Sequence, residues 1–152
     1  VKQGGKSGYY LPRKNFFGQR WIKRCGWYPD YTLRLYRKDL GSFSERAVHE
    51  SVTVKGEAGH LKNPLIHRTY RDVSDYLHRM QRYSTLAAEV MLKEGRNPGV
   101  LDLILRPFFT FLKMFILKLG FLEGALGIVI SMLYASYTFA KYAKLWELKK
   151  SS

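Results

Sequence analysis

Between residues 101 and 140 the chain is apolar almost throughout, and any fold it adopts has to cover that surface. Residues 101–119 are apolar on nearly every side of a helix, with Asp102, Arg106 and Lys113 recurring at helical spacing as a narrow polar stripe. Pro107 is expected to kink or restart this helix, because it has no N–H to give the preceding turn. Gly120 closes it. A last helix is expected over about residues 121–149, with no charge in the seventeen residues from Gly124 to Ala140. That stretch is short of the roughly 20 residues a bilayer span takes. Three arrangements stay open: a membrane-spanning helix, a helix lying in the membrane interface, and an ordinary core helix. Lys141, Lys144, Lys149 and Lys150, with Tyr142 and Trp146, suit contact with an anionic leaflet or a solvated helix end.

Upstream the periodicity changes. Val73, Tyr76, Leu77, Met80, Tyr83, Ala87, Val90 and Met91 recur at threes and fours, with Asp72 as N-cap and Gly95 as stop, so an amphipathic helix is expected. Before residue 71 the signals are those of strands and turns. Gly26 and Pro29-Asp30 mark a turn. From Thr32 the chain alternates, with Leu33 and Leu35 on one face and Arg34 and Tyr36 on the other, as in a half-buried strand. Gly41-Ser42 turns the chain towards Val48-His49-Glu50 and a second alternating run at Val52 and Val54. Gly56-Glu57-Ala58-Gly59 reads as a loop, and Pro64 limits residues 61–67 to an edge or a strand start. Residues 9–17 mix aromatic and basic side chains and read as a loop between short strands. The whole is α+β, a strand-rich part over residues 1–70 and a helical, membrane-associated part over 71–152.

At 152 residues, 46% of them apolar, the chain can bury a core of its own, which argues against disorder. Cys25 is the only cysteine, so neither an internal disulfide nor a zinc cluster is available, and a cytosolic setting is the default. The net charge of +14 implies an anionic partner: nucleic acid, a membrane surface or a phosphorylated substrate. The aromatic and basic tract at residues 9–17 suits base stacking, but no RNA-binding or helix-turn-helix motif accompanies it, and no nucleic-acid partner is expected. The first eight residues are polar and glycine-rich rather than a signal peptide, and the chain is read as beginning mid-protein.

Four stretches carry a resemblance. Gly26-Trp27-Tyr28-Pro29-Asp30-Tyr31-Thr32-Leu33-Arg34-Leu35-Tyr36-Arg37, then Val48-His49-Glu50, then Leu65-Ile66-His67-Arg68-Thr69-Tyr70, and finally Tyr83-Ser84 with the Gly120 to Gly124 turn and residues 141–147, together resemble the C-terminal half of family 2 glycosyltransferases of the lipopolysaccharide-core type. The resemblance implies the acceptor-side part of a GT-A, Rossmann-like mixed sheet, followed by about three helices, the last two apolar and membrane-associated. It implies a hexosyltransferase-class reaction, a nucleotide sugar as donor and a glycolipid or other cell-envelope glycan as acceptor. It implies a divalent metal, Mg or Mn, and a place on the cytoplasmic face of the inner membrane, peripheral or monotopic. By position in the family pattern, Glu50 is the expected base, His67 a metal ligand with His49 as runner-up, and Arg34 and Arg37 partners of the donor diphosphate. Trp27 and Tyr28 offer a flat face to a sugar. No Asp-x-Asp occurs in the sequence, so catalysis by this chain alone is not expected. The rival reading is a non-catalytic, basic, membrane-surface binding module.

Overall fold

Residues 9–17, expected as a loop, are instead the centre of the sheet. In the computed structural model, which describes residues 5–43 and 52–150, strand β1 (Gly8–Phe17) is flanked on both sides. Antiparallel to it run β2 (Arg20–Trp21) and β3 (Asp30–Tyr36). Along its other side β6 (Ala58–His60) and then β7 (Leu65–Tyr70) lie parallel, end to end. Pro12 is tolerated in so central a strand because it falls in the gap between these two neighbours: Tyr10 pairs with His60, Arg13 with Leu65, and nothing there needs the missing N–H. β4 (Gly41–Phe43) and β5 (Val52–Val54) form a separate antiparallel pair. His49 and Glu50 lie outside the described residues.

The alternation expected along β3 breaks at one point. Tyr9 pairs with Leu35 and Tyr10 with Leu33, so Arg34 is the extra residue of a β-bulge. Leu33 is consequently buried while Leu35 is 46% exposed, not its companion on one inner face.

Helix α1 (Val73–Lys93) starts and stops as its sequence dictates. The Asp72 carboxylate accepts from the Asp75 N–H at 2.8 Å. At the other end Gly95 takes a positive φ, and the Arg96 and Gly95 N–H groups bond the Met91 and Leu92 carbonyls, a Schellman closure. Helix α2 (Val100–Leu112) runs through Pro107 without ending. The irregularity comes later, as a π-helical turn over Lys113–Leu117 and a 3₁₀ turn over Gly120–Glu123. The last helix, α3 (Ala125–Lys150), begins after Gly124 rather than at Phe121.

One core joins strands and helices. Phe17, Ile22, Cys25 and Trp27 from the strand-rich part pack with Tyr76, Met114, Ile130 and Leu133 from the helices. A second cluster, Ala88, Met91, Tyr142 and Leu145, fastens α1 to α3. One face of α3 is core, with Ile130 and Leu145 essentially sealed from solvent, while Ile128, Met132 and Phe139 on it are exposed. Among the described residues no helix is long and apolar enough to cross a membrane. α2 differs: none of its residues is buried, and Ile104, Phe108 and Phe109 are each more than half exposed.

Candidate functional site

The sheet and the first and last helices enclose a cleft of about 660 Å³. Its polar wall comes from β1, β3 and β7, and its aromatic wall from α1 and α3. Asn15, buried in the central strand, organises the polar side. Its Nδ2 donates to the Trp27 carbonyl (3.0 Å) and to Asp30 Oδ2 (2.8 Å), which settles the amide orientation, since a flipped oxygen would face two acceptors. Oδ1 is therefore an acceptor, lying 2.8 Å from His67 Nδ1 and 3.2 Å from the Thr69 hydroxyl that donates to it. Asp30 Oδ2 also takes two bonds from the Arg13 guanidinium, at 3.0 and 2.6 Å. Its Oδ1 has no partner among the described residues.

This pattern defines the state of His67. Nδ1 must carry the hydrogen to bond Asn15 Oδ1, leaving the lone pair on Nε2. Burial lowers the imidazole pKa, and Arg13, Arg34 and Arg79 push the same way against the opposing pull of Asp30. At neutral pH His67 is thus an uncharged ring with a basic nitrogen, able to accept a proton or a hydrogen bond, or to ligate a metal. Burial holds the phenols of Tyr70, on the same strand as His67, and of Tyr76 and Tyr134 on the helices above the usual tyrosine range, so they stay protonated. The Tyr76 hydroxyl donates to the Leu133 carbonyl at 3.1 Å. Arg79, held by Asp75 at 3.0 Å, lies over the Tyr70 ring at 5.5 Å. Cations, neutral polar groups and aromatic faces in one recess suit a carbohydrate, whose C–H faces pack on rings while its hydroxyls need partners.

The residues expected from sequence are distributed unevenly. His67 lines the cleft. Arg34, on the bulge, is near enough to depress the His67 pKa. Arg37 is not part of this group: it sits beyond β3 and grips Asp39 through Nε (3.2 Å) and Nη2 (2.7 Å). Trp27 is not an open platform, since it is buried against Phe17, Tyr70 and Tyr134. Tyr28 packs edge-on to Trp21. Sequence reasoning missed Asn15 and treated Asp30 only as a turn residue. Among the described residues no group of three or more His, Cys, Asp or Glu side chains converges to hold a metal. The cleft offers one imidazole and one carboxylate, which do not make a coordination shell by themselves.

Proteins similar to this chain are named as glycosyltransferases. A lipopolysaccharide core biosynthesis glycosyltransferase, LpsC, of Rhizobium meliloti (strain 1021) is 27% identical over 117 residues, covering 76% of this chain and 43% of its own length. Uncharacterized glycosyltransferases of Rickettsia bellii and Rickettsia typhi are each 27% identical, over 124 and 129 residues, and are covered to 42% and 44%. The chain spans less than half the length of these curated relatives. No protein-family model and no solved structure matches it.

Proposed function

We propose that the chain is the acceptor-side portion of a family 2, GT-A glycosyltransferase, which moves a sugar from a nucleotide-sugar donor to a cell-envelope glycan or glycolipid. The observation that carries this reading is the similarity to a lipopolysaccharide core glycosyltransferase over 76% of the chain. The cleft supports it chemically, since it joins sugar-compatible aromatic rings to arginines and a neutral histidine. This reading requires a donor-binding half with an Asp-x-Asp, and a complete site for Mg or Mn, beyond the residues of this sequence. In this reading Glu50 takes the proton of the acceptor hydroxyl, a role worth about 10²–10⁴ in rate. His67 Nε2 is the imidazole available to a metal, with His49 the second candidate. Arg34, and Arg37 if it leaves Asp39, offer forked donors to the diphosphate. The reaction takes place at the cytoplasmic face of the plasma membrane, where acceptor and protein meet.

The test is a transfer assay with this chain alone and with a polypeptide carrying the missing half, supplied with nucleotide sugars and a truncated lipopolysaccharide core. The longer polypeptide is expected to transfer and this chain alone is not. Glu50→Gln in the longer form should keep donor affinity and lose most of kcat, because the amide cannot take the proton. Unchanged kcat removes Glu50 from the mechanism. Absence of transfer with every donor overturns the reading in favour of a non-catalytic binding module.

A further inference from the structure

Between α2 and α3, away from the cleft, lies a recess of about 330 Å³ into which three cations converge: Arg106, Lys113 and Lys141. The Arg106 guanidinium and the Lys141 ammonium sit 4.9 and 5.5 Å from the centre of the same Tyr142 ring. Arg106 bonds Asp102 through Nε, and its two terminal nitrogens have no partner among the described residues. Lys113 and Lys141 have no carboxylate partner among the described residues. Lys141 is half-buried: desolvation lowers its pKa, and Arg96 and Arg106 add to the effect. Setting Asp102 against Arg106 leaves an excess of two positive charges around a pocket whose floor, the Thr110 and Thr138 hydroxyls 3.2 Å apart, is already hydrogen-bonded.

The recess opens beside an uncovered apolar face of α2. Ile104, Leu105, Phe108 and Phe109 of α2 are 62%, 42%, 54% and 59% exposed, and Leu117, one turn past the helix, is 75% exposed. Among the described residues no acidic side chain lines the recess itself. Between residues 100 and 140 the only carboxylates are Asp102, spent on Arg106, and Glu123, buried under Arg20 and two backbone N–H groups. A soluble phosphate would use the charges and leave the apolar face in water. A bilayer with anionic headgroups uses both.

We propose that this recess binds the phosphate of an anionic membrane lipid, with the lipid chains against the exposed face of α2, so that α2 rather than α3 seats the protein on the membrane. Sugar transfer does not enter the argument, and the proposal stands or falls apart from it.

The test is co-sedimentation of the whole chain with phosphatidylcholine vesicles, with and without phosphatidylglycerol. Binding is expected only when phosphatidylglycerol is present. The double variant Lys113→Ala/Lys141→Ala should weaken it roughly 30-fold, the equivalent of about 1 kcal/mol for each cation at an anionic surface. Lys38→Ala/Lys55→Ala, which removes the same charge from exposed positions on the strand-rich part, should change it less than about 3-fold. Ile104→Asp with Phe108→Asp should remove the binding that survives high salt, and Lys113→Arg/Lys141→Arg should retain it. Equal losses in the two alanine pairs, equal binding to phosphatidylcholine alone, release by glycerol phosphate at matched ionic strength, or self-association through α2 without vesicle binding would each overturn the proposal.

Discussion

Asn15 determines which nitrogen of His67 is free, and neither residue alone would indicate it. The amide spends its two hydrogens on Trp27 and Asp30, so its oxygen can only accept, and the imidazole must present Nδ1–H to it. NMR of the ring nitrogens should therefore find the Nδ1–H tautomer, titrating below the usual histidine value of about 6.5. Asn15→Asp would set a carboxylate against Nδ1–H and should raise that pKa above the wild-type value. An unchanged titration would mean the contact is not made in solution. The shift also has a sign for stability. Below about pH 6.5 the unfolded chain takes up a proton that the folded chain resists, so the His67 contribution is present above that pH and declines as pH falls towards the folded pKa. The motif singled out His67, and the structure places it in the cleft. Asn15 was not, because a single amide between Lys14 and Phe16 has no local signature, and its importance rests on partners 12 to 54 residues away.

At the scale of elements, α1 was legible in its ends, because start and stop are local: Asp72 caps it and Gly95 ends it, whereas of the residues expected on its core side only Tyr76 and Met91 are buried, Val73, Leu77, Tyr83 and Val90 are exposed, and Ser84 and Ala88 complete the buried face. The turn before α3 was legible as a turn from its glycines, but what holds it was not, because the contacts are long-range. Glu123 is buried there, its Oε1 accepting from the Lys23 and Arg24 N–H groups at 2.9 Å each while Arg20 reaches Oε2 and the backbone carbonyl. Close by, Gly127 is packed so tightly on the Gly120 carbonyl that no side chain fits. Glu123→Ala should destabilise the chain by about 1–3 kcal/mol in urea unfolding, since it removes a buried carboxylate that accepts from two part-buried N–H groups. Glu123→Gln should cost less, its oxygen still serving both donors. Equal effects of the two substitutions would show that the charge opposite Arg20, not the backbone bonds, is what matters. β1 was misread for a related reason. Pro12 and the basic residues argue locally for a loop, and only the gap between β6 and β7 makes the proline acceptable.

For the molecule as a whole, the change of periodicity near residue 70 marks where β7 gives way to α1, but packing ignores it. Among the described residues of the strand-rich part, Phe17, Ile22, Cys25 and Trp27 belong to the buried cluster completed by Tyr76, Met114, Ile130 and Leu133. Without the helices Ile22 and Trp27 would face water, and full burial of side chains of this size is worth about 1.5–3 kcal/mol each. A domain usually has only 5–15 kcal/mol of net stability to lose. The sheet therefore should not persist as an independent unit. Thermal unfolding of the chain, followed both by tryptophan fluorescence, which reports on Trp21 and Trp27 in the strand-rich part and Trp146 on α3, and by helical circular dichroism, should give one coincident transition. A fragment ending at Tyr70 should lack dispersed amide resonances under conditions where the full chain is folded. Two separated transitions, or a folded fragment, would show that the strand-rich part holds itself together by means other than the shared core.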